Sequence, residues 1–192
     1  KIDDELVGSI LLKDEAKHGT KEAIQALNSR GIVTKMFTGD NKKAAKQIAE
    51  ELGISEFEAE MLPDQKYSEL EKELEKYKGT NGKVAFVGDG INDSPVLARA
   101  DVGISMGGVG SGSAIEASDI VVMTDSIDRI DCAIDISKKT SKIIKQNLIF
   151  SIGVKIVVLV LSVFGVANMW EAVFADVGAT LITVLNSLRI LK

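Results

Sequence analysis

The chain is poor in cysteine, histidine and proline, with one, one and two of these residues among 192. The single cysteine, Cys132, cannot form a disulfide within the chain, so a secreted scaffold held together by disulfides is excluded. The 17 glycines follow no three-residue period, which excludes a collagen-like fibre, and the hydrophobic content of 45% excludes a disordered chain. The length leaves room for one full domain and an appendage.

Positive charge is scarce in the first part of the chain and in excess in the rest. Residues 1–136 carry 16 Lys and Arg against 26 Asp and Glu, whereas residues 137–192 carry 7 against 2. The acidic part offers no basic surface that could replace the counterions of a nucleic acid, so nucleic acid is not expected as a partner. The overall charge of −5 therefore hides two parts of opposite sign.

The basic part contains a long apolar run. Residues 148–167 read LIFSIGVKIVVLVLSVFGVA, with only three polar side chains among twenty. That is about the length a helix needs to cross ~30 Å of hydrocarbon. A second, weaker apolar stretch covers Trp170–Leu188. We interpret the two stretches as a pair of membrane spans, and the alternative is a soluble helical hairpin that hides its apolar faces.

Basic residues flank the two spans on one side. Four lysines precede the first span, and two basic residues follow the second: Lys138, Lys139, Lys142, Lys145, Arg189 and Lys192. Positive charge favours the cytoplasmic side of a membrane. We therefore expect a multi-pass protein of the plasma or inner membrane, in contact with lipid, with both ends of this segment in the cytoplasm.

Residues 1–136 alternate between short apolar runs and amphipathic stretches. Strands are predicted at Leu6–Leu12, Ile32–Phe37, Val84–Val87, Val102–Met106 and Ile120–Met123, and helices at Thr20–Arg30, Asn41–Leu52, Pro63–Lys78 and Asp93–Ala100. This order predicts an α/β fold with a mostly parallel sheet and helices on both faces. No proline or glycine interrupts Ile127–Ile152, so one long helix is expected to lead into the first span.

Two of the predicted strands end in polar, glycine-containing loops. Thr38-Gly39-Asp40 follows one strand, and the loop Gly88-Asp89-Gly90-Ile91-Asn92-Asp93 follows another. Ligands of parallel sheets bind beyond the carboxyl ends of the strands. Asp89 and Asp93 have the form of ligands for Mg²⁺, which favours one or two carboxylates. Lys66, at a helix start, could supply the positive charge that a phosphoryl group needs.

These residues resemble a known family. Thr38-Gly39-Asp40, Lys66 and the run GDGINDSPVLARADVGISMG at residues 88–107 are similar to the second half of the phosphorylation domain of P-type cation-transporting ATPases. The resemblance implies a partial haloacid-dehalogenase-like, Rossmann-like parallel sheet followed by a two-helix transmembrane hairpin. It also implies an aspartyl-phosphate site with Asp89 and Asp93 on Mg²⁺ and with the catalytic residues Thr38, Gly39, Asp40, Lys66 and Asn92.

The same family uses ATP, which the resemblance makes a second expected cofactor. Its Asp-x-x-Arg stretch reads Asp14-Glu15-Ala16-Lys17 here. Lysine keeps the charge of arginine but not its bidentate geometry. Asp14 is therefore the candidate for nucleotide contact, and the departure at Lys17 puts this contact in doubt.

The family's nucleophile lies in Asp-Lys-Thr-Gly-Thr, which occurs nowhere in this sequence. The chain is therefore expected to be a C-terminal fragment that lacks the nucleophile and the nucleotide domain, and to be inactive alone. We divide it into the C-terminal part of the phosphorylation domain at 1–126, a linking helix at 127–146 and the last two membrane helices at 147–192. The missing N-terminal portion is its expected partner.

The membrane part indicates which kind of ion is transported. Asn147, Lys155, Asp176 and Gly178 have a spacing that resembles the zinc-, cadmium- and lead-exporting subgroup, which makes their region the candidate site for the transported divalent metal. Lys155 and Asp176 lie about 12 and 20 Å deep in their spans, close enough to pair. The predicted function is thus heavy-metal export. The alternatives are a membrane-anchored phosphatase of the same fold and a non-catalytic membrane module.

Two single residues receive a structural interpretation. His18 lies in a polar stretch and is expected at the surface. Cys132 is expected to be a small buried residue, because it has too few potential ligands nearby for a metal site.

Overall fold

The computed structural model describes residues 16–88, 91–107, 112–124, 126–166 and 168–191. The chain forms two compact units, Lys1–Asp131 and Cys132–Lys192. The predicted strand at Leu6–Leu12 and the predicted site residues Asp14 and Asp89 lie outside the described residues.

The first unit alternates helices and strands along the whole of its described part. Its elements are α1 (Thr20–Ser29), β1 (Lys35–Phe37), α2 (Lys42–Leu52), β2 (Glu56–Glu58), α3 (Pro63–Tyr77), β3 (Ala85–Gly88), α4 (Ser94–Arg99), β4 (Val102–Met106), α5 (Gly112–Ala117) and β5 (Ile120–Val122). A short 3₁₀ turn, Ile91–Asp93, precedes α4. The predicted α/β order is therefore confirmed.

Local sequence signals set the helix ends. The Asn41 side chain accepts a hydrogen bond from the Ala44 N–H at 2.9 Å and caps α2, and Gly53 ends this helix with φ 76°, which glycine adopts without strain. At α3, Pro63 occupies the first turn and the Gln65 side chain accepts from the Leu62 N–H at 2.8 Å. These signals explain why both helices begin within one residue of the predicted positions.

The strands form two parallel sheets among the described residues. β1 pairs with β2, and β4 lies between β3 and β5. β2 is absent from the sequence-based prediction, because its three residues, Glu56-Phe57-Glu58, contain a single apolar side chain. The prediction for β1 began too early, since Ile32 and Val33 precede the ladder and are 39% and 64% exposed.

A close approach of α4 to β4 fixes the packing around the second sheet. Val96 and Leu97 on α4 are each 1% exposed. A Cβ atom added to Gly103 would lie 2.4 Å from the Leu97 carbonyl oxygen, so only glycine allows β4 to approach this closely. The Asp101 carboxylate accepts from the Val84 N–H at 3.0 Å, and this bond, together with one from Lys83, lowers the pKa of Asp101. The turn before β4 is thereby tied to the start of β3.

The second unit is dominated by two helices, α6 (Asp128–Val163) and α7 (Met169–Ser187). α6 confirms the prediction of one uninterrupted helix leading into the first apolar run. It ends at Val163, four residues before the predicted end of the span. Cys132 is exposed on α6, so the expectation that it is buried was wrong. Cys132 lies on a different side of α6 from Ile130, which is 7% exposed, so the buried side of the helix does not include it.

Both helices expose apolar surface. Asp128–Val163 and Met169–Leu191, which adds a final 3₁₀ turn to α7, are long and apolar enough to cross a membrane. Leu159, Phe174 and Leu181 are 65%, 74% and 60% exposed. Side chains of this kind are normally buried in a soluble domain, so their exposure favours a lipid environment.

Candidate active site and candidate metal-transport site

Two hydrogen bonds between Thr38 and Asp40 stabilise the Thr38-Gly39-Asp40 turn at the end of β1. The Thr38 hydroxyl donates to Asp40 Oδ2 at 2.7 Å and accepts from the Asp40 N–H at 3.1 Å. The Thr38 N–H donates to the Glu58 carbonyl at 3.0 Å, and the Thr38 carbonyl accepts from the Met61 N–H at 3.1 Å. These bonds hold the turn against the end of β2 and place its hydroxyl beyond the carboxyl end of the sheet.

Lys66 and Asp93 form an ion pair beyond the end of β3. Lys66 Nζ donates to Asp93 Oδ1 at 2.9 Å, and the two side chains are 19% and 12% exposed. Lys66 lies in the first turn of α3, and Asp93 ends the 3₁₀ turn after β3. The sequence placed both residues in one site, and the structure brings them together across 27 positions.

Gly88 permits this arrangement. A Cβ atom at position 88 would lie 3.0 Å from both Cβ and Oδ2 of Asp93, tighter than ordinary contact. The last residue of β3 must therefore be small for the Asp93 carboxylate to fold back over the strand end. Asn92, also predicted in the site, is exposed beside it.

A cavity of about 300 Å³ opens at these strand ends. Its walls include Phe37 at the end of β1, Gly88 at the end of β3 and Met106 at the end of β4, together with Lys66 and Asp93. Ligands were expected at the carboxyl ends of the strands, and the cavity lies there. His18 is exposed as expected, and with Lys17, Thr20 and Ser126 it also lines this cavity. Lys17 belongs to the stretch that the family resemblance linked to the nucleotide, whereas sequence reasoning did not place His18, Thr20 and Ser126 in a site, because nothing in their local pattern indicates one.

The side chains at the cavity fit a hard cation. The Asp93 carboxylate supplies oxygen ligands that Mg²⁺ prefers, and Asp89 lies four residues earlier in the same loop. Among the described residues there is no group of three or more His, Cys, Asp or Glu side chains that could hold a metal. Such a closed protein cage is not what Mg²⁺ requires, since it usually keeps several waters and uses one or two carboxylates.

In the second unit the structure joins α6 and α7 through a pair of opposite charges. Lys155 Nζ lies 3.2 Å from Asp176 Oδ1. The two side chains are 67% and 61% exposed, so within this chain the pair faces outward rather than into a core. Gly178 lies two residues after Asp176, on the other side of α7, and a Cβ atom there would meet nothing within 4 Å. The exposure of the Asp176 side chain leaves its carboxylate accessible to an ion.

Asn147 does not join this pair. Its amide nitrogen donates to Ser187 Oγ at 2.9 Å and to the Thr183 carbonyl at 3.2 Å, and its oxygen accepts from Asn186 at 2.8 Å. Lys155 lies eight residues further along α6, about 12 Å away along the helix axis. The structure therefore separates Asn147 from Lys155 and Asp176 and places it in a polar network that links the two helices.

The fold and the residues at the strand ends define a class of protein. The sequence pattern of haloacid dehalogenase-like hydrolases matches residues 1–101, and the chain belongs to this family. The predicted resemblance to heavy-metal P-type ATPases is confirmed by curated relatives. The chain is 48% identical, over its whole length, to a cadmium, zinc and cobalt-transporting ATPase of Bacillus subtilis, and 45% identical to a zinc-transporting ATPase of Synechocystis.

A solved structure matches both units. A zinc-transporting PIB-type ATPase in its E2·Pi state superimposes with a TM-score of 0.85 at 36% identity, over 94% of this chain and 29% of the other. The chain spans 27% of the length of the Bacillus subtilis relative and 26% of the Synechocystis relative. It is thus similar to about a quarter of each of these transporters.

Proposed function

We propose that this chain is the C-terminal part of an ATP-driven exporter of Zn²⁺, Cd²⁺ or Pb²⁺. The observation that carries the proposal is the Lys155–Asp176 pair in two apolar helices, on the same chain as the Lys66–Asp93 site. Residues 1–126 belong to the phosphorylation domain, 127–146 form the linking helix, and 147–192 form the last two membrane helices. The remaining N-terminal portion of the transporter supplies the other half of the site.

The cavity at the strand ends supports phosphoryl transfer to an aspartate of the missing portion. That carboxylate attacks the γ-phosphorus of ATP, and the bond from phosphorus to the bridging oxygen of ADP breaks. Lys66 and the Gly39 N–H stabilise the negative charge on the phosphoryl oxygens, and the Thr38 hydroxyl donates to one of them. Asp89 and Asp93 would hold Mg²⁺, which neutralises charge on the phosphoryl group when bound.

The two sheets leave room for a strand that carries the nucleophile. Among the described residues β1 and β3 each have a partner on one side only, and the Phe37 and Phe86 rings lie 6.5 Å apart between them. We propose that a parallel strand of the missing portion pairs with both edges. Its carboxyl end would then open on the cavity beside Lys66, where an aspartate could reach the phosphoryl group.

The proposed ion site uses Asp176 as a ligand and Lys155 as a replacement for the ion. A carboxylate inside a membrane is costly when it is bare, and the Lys155 ammonium can neutralise it after the metal leaves. The oxygen of Asp176 suits a divalent ion better than Cu(I), which prefers sulfur ligands. Asn147 holds α6 and α7 together at some distance from the ion.

The proposal distinguishes a transporter fragment from a complete phosphatase. We expect the purified chain 1–192 in detergent to hydrolyse neither ATP nor acetyl phosphate, because it has no Asp-Lys-Thr-Gly-Thr nucleophile. Phosphate release with and without Zn²⁺ measures this, and the full-length transporter is the positive control. Turnover of acetyl phosphate by the chain alone would favour the phosphatase, and failure of the full-length protein to form a phosphoenzyme would favour the non-catalytic module.

The start of α6 supports mechanical coupling between the phosphorylation domain and the membrane. The Arg30 guanidinium, just after α1, contacts both carboxylate oxygens of Asp131, with Nε at 2.6 Å and NH2 at 2.8 Å. This ion pair, with its one hydrogen bond from NH2, anchors the first turns of α6. The helix then continues without a break to Val163. Movement at the phosphorylation site can thus be transmitted along a stiff element.

Inserting two glycines after Lys139 in the full-length protein should leave phosphoenzyme formation intact and reduce metal transport strongly. Glycine lowers the stability of a helix interior, so the link becomes flexible. Phosphorylation by labelled ATP and uptake into inverted vesicles measure the two steps. The matched control inserts two alanines, which shift the helix register equally but keep it helical. Equal transport by both variants would contradict a role for stiffness.

A further inference from the structure

One residue between β2 and α3 adopts a backbone conformation that is unfavourable for its type. Glu60 has φ 57°, and within the described part of the chain it is the single non-glycine residue with a positive φ. Residues other than Gly, Asn and Asp rarely adopt this left-handed conformation, because Cβ then lies too close to a carbonyl oxygen. Backbone strain of this kind persists where the surrounding contacts enforce it, and it concentrates at functional sites. Glu60 lies on the segment that joins β2 to the helix carrying Lys66.

Glu60 changes the hydrogen bonding at the end of the β1–β2 ladder. If this parallel ladder continued regularly, the Glu60 N–H would donate to the Thr38 carbonyl. Instead, the Met61 N–H donates to that carbonyl at 3.1 Å, and the Glu60 N–H donates to the Asp40 carbonyl at 2.8 Å. Glu60 is thus one extra residue in the strand direction, as in a β-bulge. Its left-handed turn gives the Thr38-Gly39-Asp40 turn a hydrogen bond at each end.

The same segment begins the helix of Lys66. A Cβ atom at Gly39 would lie 3.4 Å from the Met61 carbonyl oxygen, so the turn after β1 packs closely on this segment. Met61 is 9% exposed, and two residues later Pro63 occupies the first turn of α3. The Thr38 hydroxyl and the Lys66 ammonium are therefore carried by two elements that one short segment connects.

The Glu60 side chain adds little to this arrangement. It is exposed, and its Oε1 atom lies 3.5 Å from the Lys42 backbone nitrogen, which is long for a hydrogen bond. Glycine at position 60 would adopt the same backbone without strain, and asparagine would adopt it more readily than glutamate. A β-branched residue would resist it most. Substitutions at this position can therefore separate the backbone conformation from the carboxylate.

We propose that Glu60 is a positioning residue for phosphoryl transfer and that it acts through its left-handed backbone. The inference rests on the proposed function, which assigns Thr38 and Lys66 to the phosphoryl oxygens. Donors stabilise developing charge only where they are held in place before the reaction. A displacement of about 1 Å, caused by a residue away from the chemistry, can lower the rate by about 10²-fold. Glu60 fixes the Thr38 turn and the start of α3 relative to each other.

The test measures phosphoenzyme formation from labelled ATP by rapid quench in the full-length transporter. Glu60→Gly and Glu60→Asn should keep the rate of the natural protein. Glu60→Val should lower the rate at saturating ATP by up to ~100-fold with little change in the KM for ATP, because the donors to the phosphoryl group move. In a Thr38→Ala background the same substitution should cost less, since one of the two groups that Glu60 positions is already absent.

A control variant places the same strain elsewhere. Gly53 ends α2 with φ 76° and lies at the opposite end of β2 from the site. Gly53→Val should lower the melting temperature, as Glu60→Val does, but leave the rate of phosphoenzyme formation by the folded protein unchanged. Should Glu60→Val fail to fold, Glu60→Thr replaces it, because threonine is also β-branched.

Three results would overturn the positioning role of Glu60. They are a normal rate in Glu60→Val, an equal loss in Glu60→Gly, which would assign the effect to the carboxylate, and an equal loss in Gly53→Val, which would assign it to general instability. Absence of a phosphoenzyme in the natural full-length protein would overturn the proposed function itself.

Discussion

Replacing Asp176 by alanine in the full-length protein is expected to abolish metal-stimulated ATP hydrolysis. The carboxylate is the proposed ligand of the transported ion, and the other acidic residue of α7, Glu171, lies in the first turn of the helix. Removing even a group that only supports a metal ligand costs roughly 10- to 100-fold in metal affinity or activity, so loss of the ligand itself should cost about 100-fold or more. Phosphate release against Zn²⁺ concentration measures this effect.

Lys155→Ala should behave differently from Asp176→Ala. Without the ammonium, the ion faces no competitor for the Asp176 carboxylate, so binding is retained or becomes tighter while release and turnover slow down. Equilibrium Zn²⁺ binding and vesicle transport distinguish the two variants. Glu171→Gln is the matched control, since Glu171 is the other carboxylate of α7 and lies at the helix start, away from Lys155. Normal transport by Lys155→Ala, or full metal stoichiometry in Asp176→Ala, would refute the counter-ion mechanism.

The second large effect is expected at Lys66. Lys66→Met in the full-length protein removes the positive charge beside the phosphoryl group and leaves Asp93 without its ion-pair partner. Loss of one donor that stabilises transition-state charge costs roughly 10²- to 10³-fold in rate, and we expect this loss in the rate of phosphoenzyme formation. Rapid-quench labelling with ATP measures it.

The control for Lys66→Met lies on the same helix. Lys76 is 57% exposed in the last turn of α3, where it lies 3.6 Å from Glu73, and Lys76→Met should leave the rate unchanged. Asp93→Asn adds a second measurement, because it should raise the Mg²⁺ concentration needed for phosphorylation. Normal kinetics in Lys66→Met, with a folded protein, would remove Lys66 from the site.

The residues at the strand ends were singled out by their order along the chain and not by any one local signal. Thr38, Lys66 and Asp93 lie in short polar segments after apolar strands or at a helix start, and each is a weak signal alone, but together they resemble a known family. β2 gives no such signal, since two of its three residues are glutamates and its pairing with β1 is a tertiary contact. The prediction failed in the opposite way at Ile32 and Val33. Both residues favour strands, but neither pairs with a strand among the described residues.

Contacts across large sequence distances were harder to predict. The depth estimate for Lys155 and Asp176 used only the rise per residue, and it was enough to place the two groups within reach of each other. The same arithmetic did not reveal that Asn147 bonds to Asn186 and Ser187, because spacing along one helix says nothing about the register of its partner. Cys132 was misjudged for a related reason, since burial depends on what packs against a helix.

The early end of α6 affects the thickness of the surrounding bilayer. From Leu148 to Val163 the helix has 16 residues, or about 24 Å, which is shorter than a typical hydrocarbon core of ~30 Å. Phe164 to Val166, directly after Val163, form a turn and not a helix, and non-helical backbone is costly to expose to lipid tails. In the inserted protein, hydrophobic mismatch would therefore draw the leaflets together around this helix. Such local thinning brings bulk water closer to Lys155 and Asp176 and shortens the low-dielectric path that a released ion must cross.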